Sequence, residues 1–179
     1  MTLSQLRALY ISDLLNSLKE KGVCEIANDN ADGQVIVSGD KDSVVSFQSL
    51  LKEKKIKSIP LKVSAPFHCS LMKSAADKMS DKIENIKFGK PTHSILSNVT
   101  AKIEKNPENI KKLLIDQIFS TVKWRETIIN ISNEGVSNFV EIGPGKVLTG
   151  MVKRTIKDAN CFSINSIADI KNLQNEFKK

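Results

Sequence analysis

The side chains that ordinarily exchange a proton near neutral pH are few in this sequence. There are two histidines, His68 and His93, and three cysteines, Cys24, Cys69 and Cys161. His68 lies in Ser64-Ala65-Pro66-Phe67-His68-Cys69 at a predicted strand-to-helix junction, where α/β folds present reactive groups. An imidazole there can serve as a general base. By residue type alone, the ordinary reading is a surface or core-edge histidine. His93, in a Lys-Pro-Thr-His loop, reads as exposed. A histidine base needs a nucleophile, and the strand-turn-helix elbow G-x-S-x-G does not occur in this sequence. Ser38 in V-S-G and Ser97 in L-S-N do not form one. Cys69 adjoins His68, but neighbouring side chains at a helix start diverge, which argues against a Cys–His dyad. The cysteines are too scattered for a zinc set and too odd in number for a disulfide framework. Gly143-Pro144-Gly145-Lys146 fits neither G-x-G-x-x-G nor G-x-x-x-x-G-K-[ST]. It reads as a tight turn from strand into helix, and a phosphate at that helix start stays open.

The elements that must position these groups follow from periodicity. Leu3, Leu6, Tyr10, Leu14 and Leu18 recur at helical spacing, and Gly22 after Lys19-Glu20-Lys21 is a stop. VCEIAN reads as a strand, NDNADG is dense in turn formers, and QVIVSG is a second strand, so residues 23–39 read as a hairpin. Asp40 can cap a helix carrying Val44, Val45, Phe47, Leu50 and Leu51 and ending in a lysine run. SIPLKV (58–63) reads as a strand that Pro60 confines to an edge. After the SAPFH loop, Leu71, Met72, Ala75, Ala76, Met79 and Ile83 mark a helix, and SILSN (94–98) a short strand. Asn106-Pro107 starts a helix running to about Phe119, and another covers Trp124 to Asn133. NFVEI (138–142) is a strand stopped by Gly143-Pro144-Gly145; a helix over 146–157, a strand over 161–164 and a terminal helix complete the chain. The order predicts a small α+β unit up to residue 62, then a partly parallel α/β layer.

Composition bounds the class. Apolar residues make up 40% and charged residues 26%, which excludes disorder, collagen and a disulfide scaffold. No apolar run approaches the roughly 20 residues of a membrane helix, and MTLSQLRALY has no secretory pattern, so the expected compartment is cytoplasmic. The 27 Lys+Arg against 20 Asp+Glu give a net charge of +7. The lysines stand beside acids, as in Lys52-Glu53-Lys54-Lys55, and no basic stretch is interleaved with aromatics, which argues against nucleic acid. The charge suits an acidic partner or a phosphorylated substrate.

Five segments, in this order and spacing, resemble the bacterial malonyl-CoA:acyl-carrier-protein transacylases and their acyltransferase kin in polyketide synthases. They are IANDNADGQVIVSG (26–39), PLKVSAPFHCSLMKSAADKM (60–79), SNVTA (97–101), Gln117 with Val122-Lys123-Trp124-Arg125-Glu126, and FVEIGPGKVLTGMVKR (139–154). The resemblance implies an α/β fold: the C-terminal part of an α/β-hydrolase-like acyltransferase domain (63–179) plus a ferredoxin-like α+β small subdomain (1–62). It implies malonyl transfer from CoA to the phosphopantetheine thiol of acyl carrier protein in fatty acid synthesis, through a serine ester and without a metal or other cofactor. His68 matches the family's proton-accepting histidine and Gln117 the residue whose backbone carbonyl orients it. Phe67 matches the phenylalanine of malonyl-selective members, and Asn30 a polar residue of the acyl pocket. Gly143 to Gly145 match a structural turn. The family's G-H-S-x-G-E elbow, G-Q-G segment and malonyl-binding arginine belong to an upstream part of the fold and have no counterpart here, and MTLSQLRAL does not match the strand that opens the small subdomain. The expectation is a chain inactive alone, with acyl carrier protein, malonyl-CoA and a separate N-terminal half as partners, and with no nucleic acid or membrane. The alternatives are a fragment that only binds acyl carrier protein and an inert degenerate gene product.

Overall fold

A computed structural model describes residues 3–18 and 22–176, with side chains from residue 8 onward. The side chains of Leu3 and Leu6 and the Lys19-Glu20-Lys21 run lie outside the described residues. The chain forms two compact units, Met1–Trp124 and Arg125–Lys179.

In the first unit, α1 (Leu3–Asn16) and α2 (Lys41–Glu53) pack on an antiparallel hairpin of β1 (Cys24–Ala31) and β2 (Gln34–Gly39). Leu15, Phe47 and Leu51 form the buried centre, ringed by Ile11, Leu14, Cys24, Ile26, Val37, Leu50 and Ile56. Phe47 is 1% exposed, and its burial contributes roughly 1.5–3 kcal/mol. NDNADG is not one loop. β1 continues through Asn28, Asp29 and Asn30, and the turn is Asp32-Gly33 alone. Two bulges at Ala27 and Asn30 absorb the extra residues, and both side chains are buried. Asp40 does not cap α2 through its side chain. Its carboxylate accepts from Val23 N at 2.7 Å, while its own N–H donates to Val23 O at 2.8 Å, which closes the base of the hairpin. A Cβ at Gly39 would collide with that same Val23 carbonyl, so the close approach requires glycine.

SIPLKV is not a strand: residues 55–63 lie outside any ladder, and Ile59, Leu61 and Val63 are exposed. The apolar alternation is there, but a strand exists only with a partner, and no segment of the described residues pairs with it. A single 3₁₀ turn (Ser70–Met72) leads into α3 (Lys73–Glu84), which packs on α4 (Pro107–Asp116). Between them β3 (Ile95–Leu96) pairs with β4 (Ile103–Glu104), a strand too short to show in the sequence. Asn106 caps α4, its Oδ1 accepting from Glu108 N and Asn109 N, with Pro107 in the first turn.

In the second unit, α5 (Trp124–Asn133, continuing from the junction) precedes a β-α-β unit. β5 (Asn138–Ile142) and β6 (Asn160–Ile164) are parallel, with α6 (Val147–Thr155) as the crossover and α7 (Ile167–Glu176) following. Gly143 (φ 136°) and Gly145 (φ 97°) take the positive φ values that favour glycine, and together they turn β5 into α6. The N–H groups at the start of α6 are not free for a phosphate. The Glu141 carboxylate accepts from Thr149 N at 2.7 Å and from Leu148 N at 3.2 Å. At α7, Ser166 and Asp169 form a reciprocal cap: Asp169 N donates to Ser166 Oγ, and Asp169 Oδ2 accepts from Ser166 Oγ and Asn165 N.

Two predictions follow from helix ends. α2 closes with Ile56 N donating to Leu51 O and Lys55 N to Lys52 O, the paired bonds of a Schellman stop, with Ile56 and Leu51 both in the core. Lys55 occupies the left-handed position (φ 59°) that glycine fits best. Lys55→Gly is expected to stabilise the chain by about 0.5–1 kcal/mol in urea denaturation, and a loss of stability would contradict the assigned stop. The second concerns acid. The Thr149 backbone N–H holds Glu141 below the usual carboxylate range, as the Asn165 backbone N–H does Asp169. Each folded pKa is thus depressed, so the stabilisation is present above the unfolded pKa and lost as pH falls through the folded one. Glu141→Gln and Asp169→Asn are expected to lower the melting temperature at neutral pH and to leave less further loss on acidification below the carboxylate range.

Candidate active site

The site lies within the first unit and is assembled from three segments. The first is the loop 64–69. Phe67 N donates to Ala65 O, and the buried Cys69 thiol donates to Pro66 O at 3.1 Å. His68 sits between these anchors with φ 60°, the left-handed region, where histidine is enriched over most non-glycine residues but still costs about 1–3 kcal/mol. Phe67 beside it is 46% exposed.

The second segment is the end of α4. A helix leaves its last carbonyls without intrahelical partners. Gln117 follows Asp116 as the C-cap, and its backbone oxygen lies 2.9 Å from Nδ1 of His68. Because that oxygen can only accept, Nδ1 must be the donor, and in the neutral ring the lone pair then resides on Nε2. Nε2 has no hydrogen-bond partner among the described residues. The Gln117 side chain is held as well, its Oε1 accepting from Asn98 Nδ2 at 3.3 Å, while Lys123 N donates to Asn98 O.

The third segment is β1. Residues 121–123 run along its edge: Thr121 Oγ1 donates to Ile26 O at 2.6 Å, Val122 N to Ala27 O at 2.8 Å, and Asp29 N to Val122 O at 2.9 Å. Asn30, on a bulge of the same strand, is 7% exposed, and no hydrogen bond of the described residues joins it to His68. From β1, Glu25 reaches the histidine loop, accepting from Ser70 N at 2.8 Å and from Ser70 Oγ at 2.6 Å. Sequence reading had no means of finding that contact, because the two residues are 45 apart and match no motif.

The other candidates stay outside. His93 is exposed and its Nδ1 faces Thr92 Oγ1. Burial pushes the Cys24 thiol up to about 11, with the neighbouring Cys69 and Glu25 adding to it, so it is protonated at neutral pH and a poor nucleophile. Cys161 is raised by burial too. No three His, Cys, Asp or Glu residues among those described cluster to hold a metal, and no described helix is long and apolar enough to cross a membrane.

Residues 15–178 match the acyl transferase domain family. The malonyl CoA-acyl carrier protein transacylase of Haemophilus influenzae is 40% identical over 159 residues, covering 87% of this chain and 51% of the relative. Among solved structures, an acyl carrier protein S-malonyltransferase from Vibrio cholerae superposes with a TM-score of 0.88 at 36% identity, over 91% of this chain and 54% of that one. A malonyl-transacylase solved in complex with a type II PKS acyl-carrier protein gives 0.87 at 37% identity, over 92% and 54%. This chain spans about half the length of the curated relatives it matches. With an α/β architecture, a family match over nearly its whole length and relatives of one kind, the chain belongs to the acyl transferase domain family.

Proposed function

We propose that this chain supplies the histidine-bearing part of a malonyl-CoA:acyl-carrier-protein transacylase. The observation that carries the reading is the 2.9 Å contact between His68 Nδ1 and the Gln117 carbonyl. It leaves Nε2 able to accept a proton, the arrangement a histidine base needs, with a carbonyl in the orienting role that an aspartate plays in a triad. In this reading the serine comes from a polypeptide carrying the G-H-S-x-G-E elbow, which this sequence does not contain.

The steps balance as follows. The serine hydroxyl gives its proton to Nε2 while Oγ attacks the thioester carbonyl of malonyl-CoA. Collapse expels the CoA sulfur, which takes the proton from Nε2, and malonyl stays as a serine ester. The phosphopantetheine thiol of the carrier protein then gives its proton to Nε2 and attacks the ester, and the serine oxygen leaves with that proton. No metal or other cofactor is required. Phe67, beside the base, would crowd a 2-methyl group on the acyl chain, and Asn30 would be a polar wall of the pocket. Residues 1–62 would form a ferredoxin-like small subdomain, and residues 63–179 part of the α/β-hydrolase-like large one. The names of the relatives, one of them a complex with a carrier protein, support acyl carrier protein as partner. The cytoplasm would be the place of reaction.

The test is complementation. The purified chain is mixed with an elbow-bearing N-terminal segment from the Haemophilus relative, and transfer of malonyl from CoA to the carrier is followed. Activity is expected in the mixture and in neither part alone; no transfer at any ratio would overturn the reading. His68→Gly is the informative variant, because glycine suits the left-handed φ and leaves the fold intact. It is expected to keep a cooperative melt while lowering transfer by roughly 10²–10⁴-fold.

A further inference from the structure

We infer that Glu25 is a positioning residue for His68, a role that rests on reading His68 as the proton acceptor. A 3₁₀ turn, Ser70–Met72, follows the histidine. Its N-cap residue, Cys69 (φ −138°, ψ 172°), makes no side-chain cap, because its thiol is turned back to Pro66 O. The N–H of Ser70 therefore has no local acceptor, and the Glu25 carboxylate supplies one from β1, taking the Ser70 hydroxyl on its other oxygen. Both are hydrogen bonds to an ionised acceptor, the stronger kind.

These two bonds close a ring. From His68 the path runs through Nδ1 to Gln117 O, along the chain to Thr121 and Val122, and across to Ile26 O and Ala27 O on β1. From there it goes one residue back to Glu25, over to Ser70, and through Cys69 to His68. Without Glu25 the ring is open. The turn that follows the imidazole would then lose its tie to β1, and the packing of α3 on α4, with the Lys73 ammonium over the Phe119 ring, would be what still joins the histidine segment to the chain leaving α4 besides the contact whose geometry is at stake. His68 is held in a left-handed conformation that the chain alone disfavours, so it needs its surroundings to over-determine it. Glu25 touches neither the imidazole nor the Gln117 oxygen by any described hydrogen bond; it acts through Ser70.

Long-range ¹H–¹⁵N spectra of the full chain read the tautomer of each imidazole, with His93 as internal reference. In the native chain His68 is expected as the Nδ1–H form. In Glu25→Ala it should become a mixture of both tautomers while His93 does not change. Ser70→Ala, which keeps the backbone N–H contact and removes only the hydroxyl, should shift His68 part of the way in a chain that melts normally; it stands in should Glu25→Ala not fold. In the complemented enzyme, Glu25→Gln should lower kcat about tenfold with KM for malonyl-CoA unchanged. An unaltered His68 tautomer in both Glu25→Ala and Ser70→Ala would overturn the inference. A native His68 found in the Nε2–H form would instead strike the functional reading itself, so the two failures are told apart.

Discussion

A carbonyl oxygen has no proton to give. That asymmetry turns the meeting of Gln117 and His68 from a contact into an instruction: hydrogen on the near nitrogen, lone pair on the far one. An aspartate could do the same by charge, at the cost of burying an ion. A helix terminus does it with a group that would otherwise lack a partner. Gln117 is the residue after the last turn of α4, and its free carbonyl exists because the helix stops there.

The rest of the first unit serves to keep those two atoms together. α4 starts at a defined place because Asn106 and Pro107 fix its first turn, so its end is fixed as well. The chain leaving α4 is stitched to the edge of β1 by three hydrogen bonds, and β1 is itself set by the core of Leu15, Phe47 and Leu51 beneath the hairpin. Bulges at Ala27 and Asn30 turn these side chains inward where strict alternation would have sent one of them out. The histidine loop adopts a strained backbone, and that strain is tolerated because both sides of the loop are held.

What the sequence disclosed and what it withheld divide along a physical line. Features encoded locally were legible: the Asn106-Pro107 helix start, the hairpin and the strand–Gly-Pro-Gly–helix turn. The strand-to-helix junction expected at His68 keeps its helical side and loses its strand. Features that depend on meeting a distant segment were not legible. SIPLKV has the alternation of a strand and no partner to make it one. β4 is two residues long and exists only opposite β3. Asp40 stands in sequence where a cap is expected, directly before a helix, yet its carboxylate is committed to Val23. Glu141 is the same lesson reversed: a strand residue that caps the helix after it, closing a site that glycine spacing alone left open for phosphate. The pairing of His68 with Gln117, 49 residues apart, came only from the resemblance to the transacylases, since nothing in periodicity or spacing joins them.

The most direct test is to detect the hydrogen bond itself. A scalar coupling passed through it, between the Nδ1 nitrogen of His68 and the carbonyl carbon of Gln117 in a uniformly labelled chain, would show that nitrogen donating to that oxygen. The account predicts a cross-peak linking the two nuclei at neutral pH. A spectrum with no such coupling, in which Nδ1 of His68 carries no hydrogen, would contradict it.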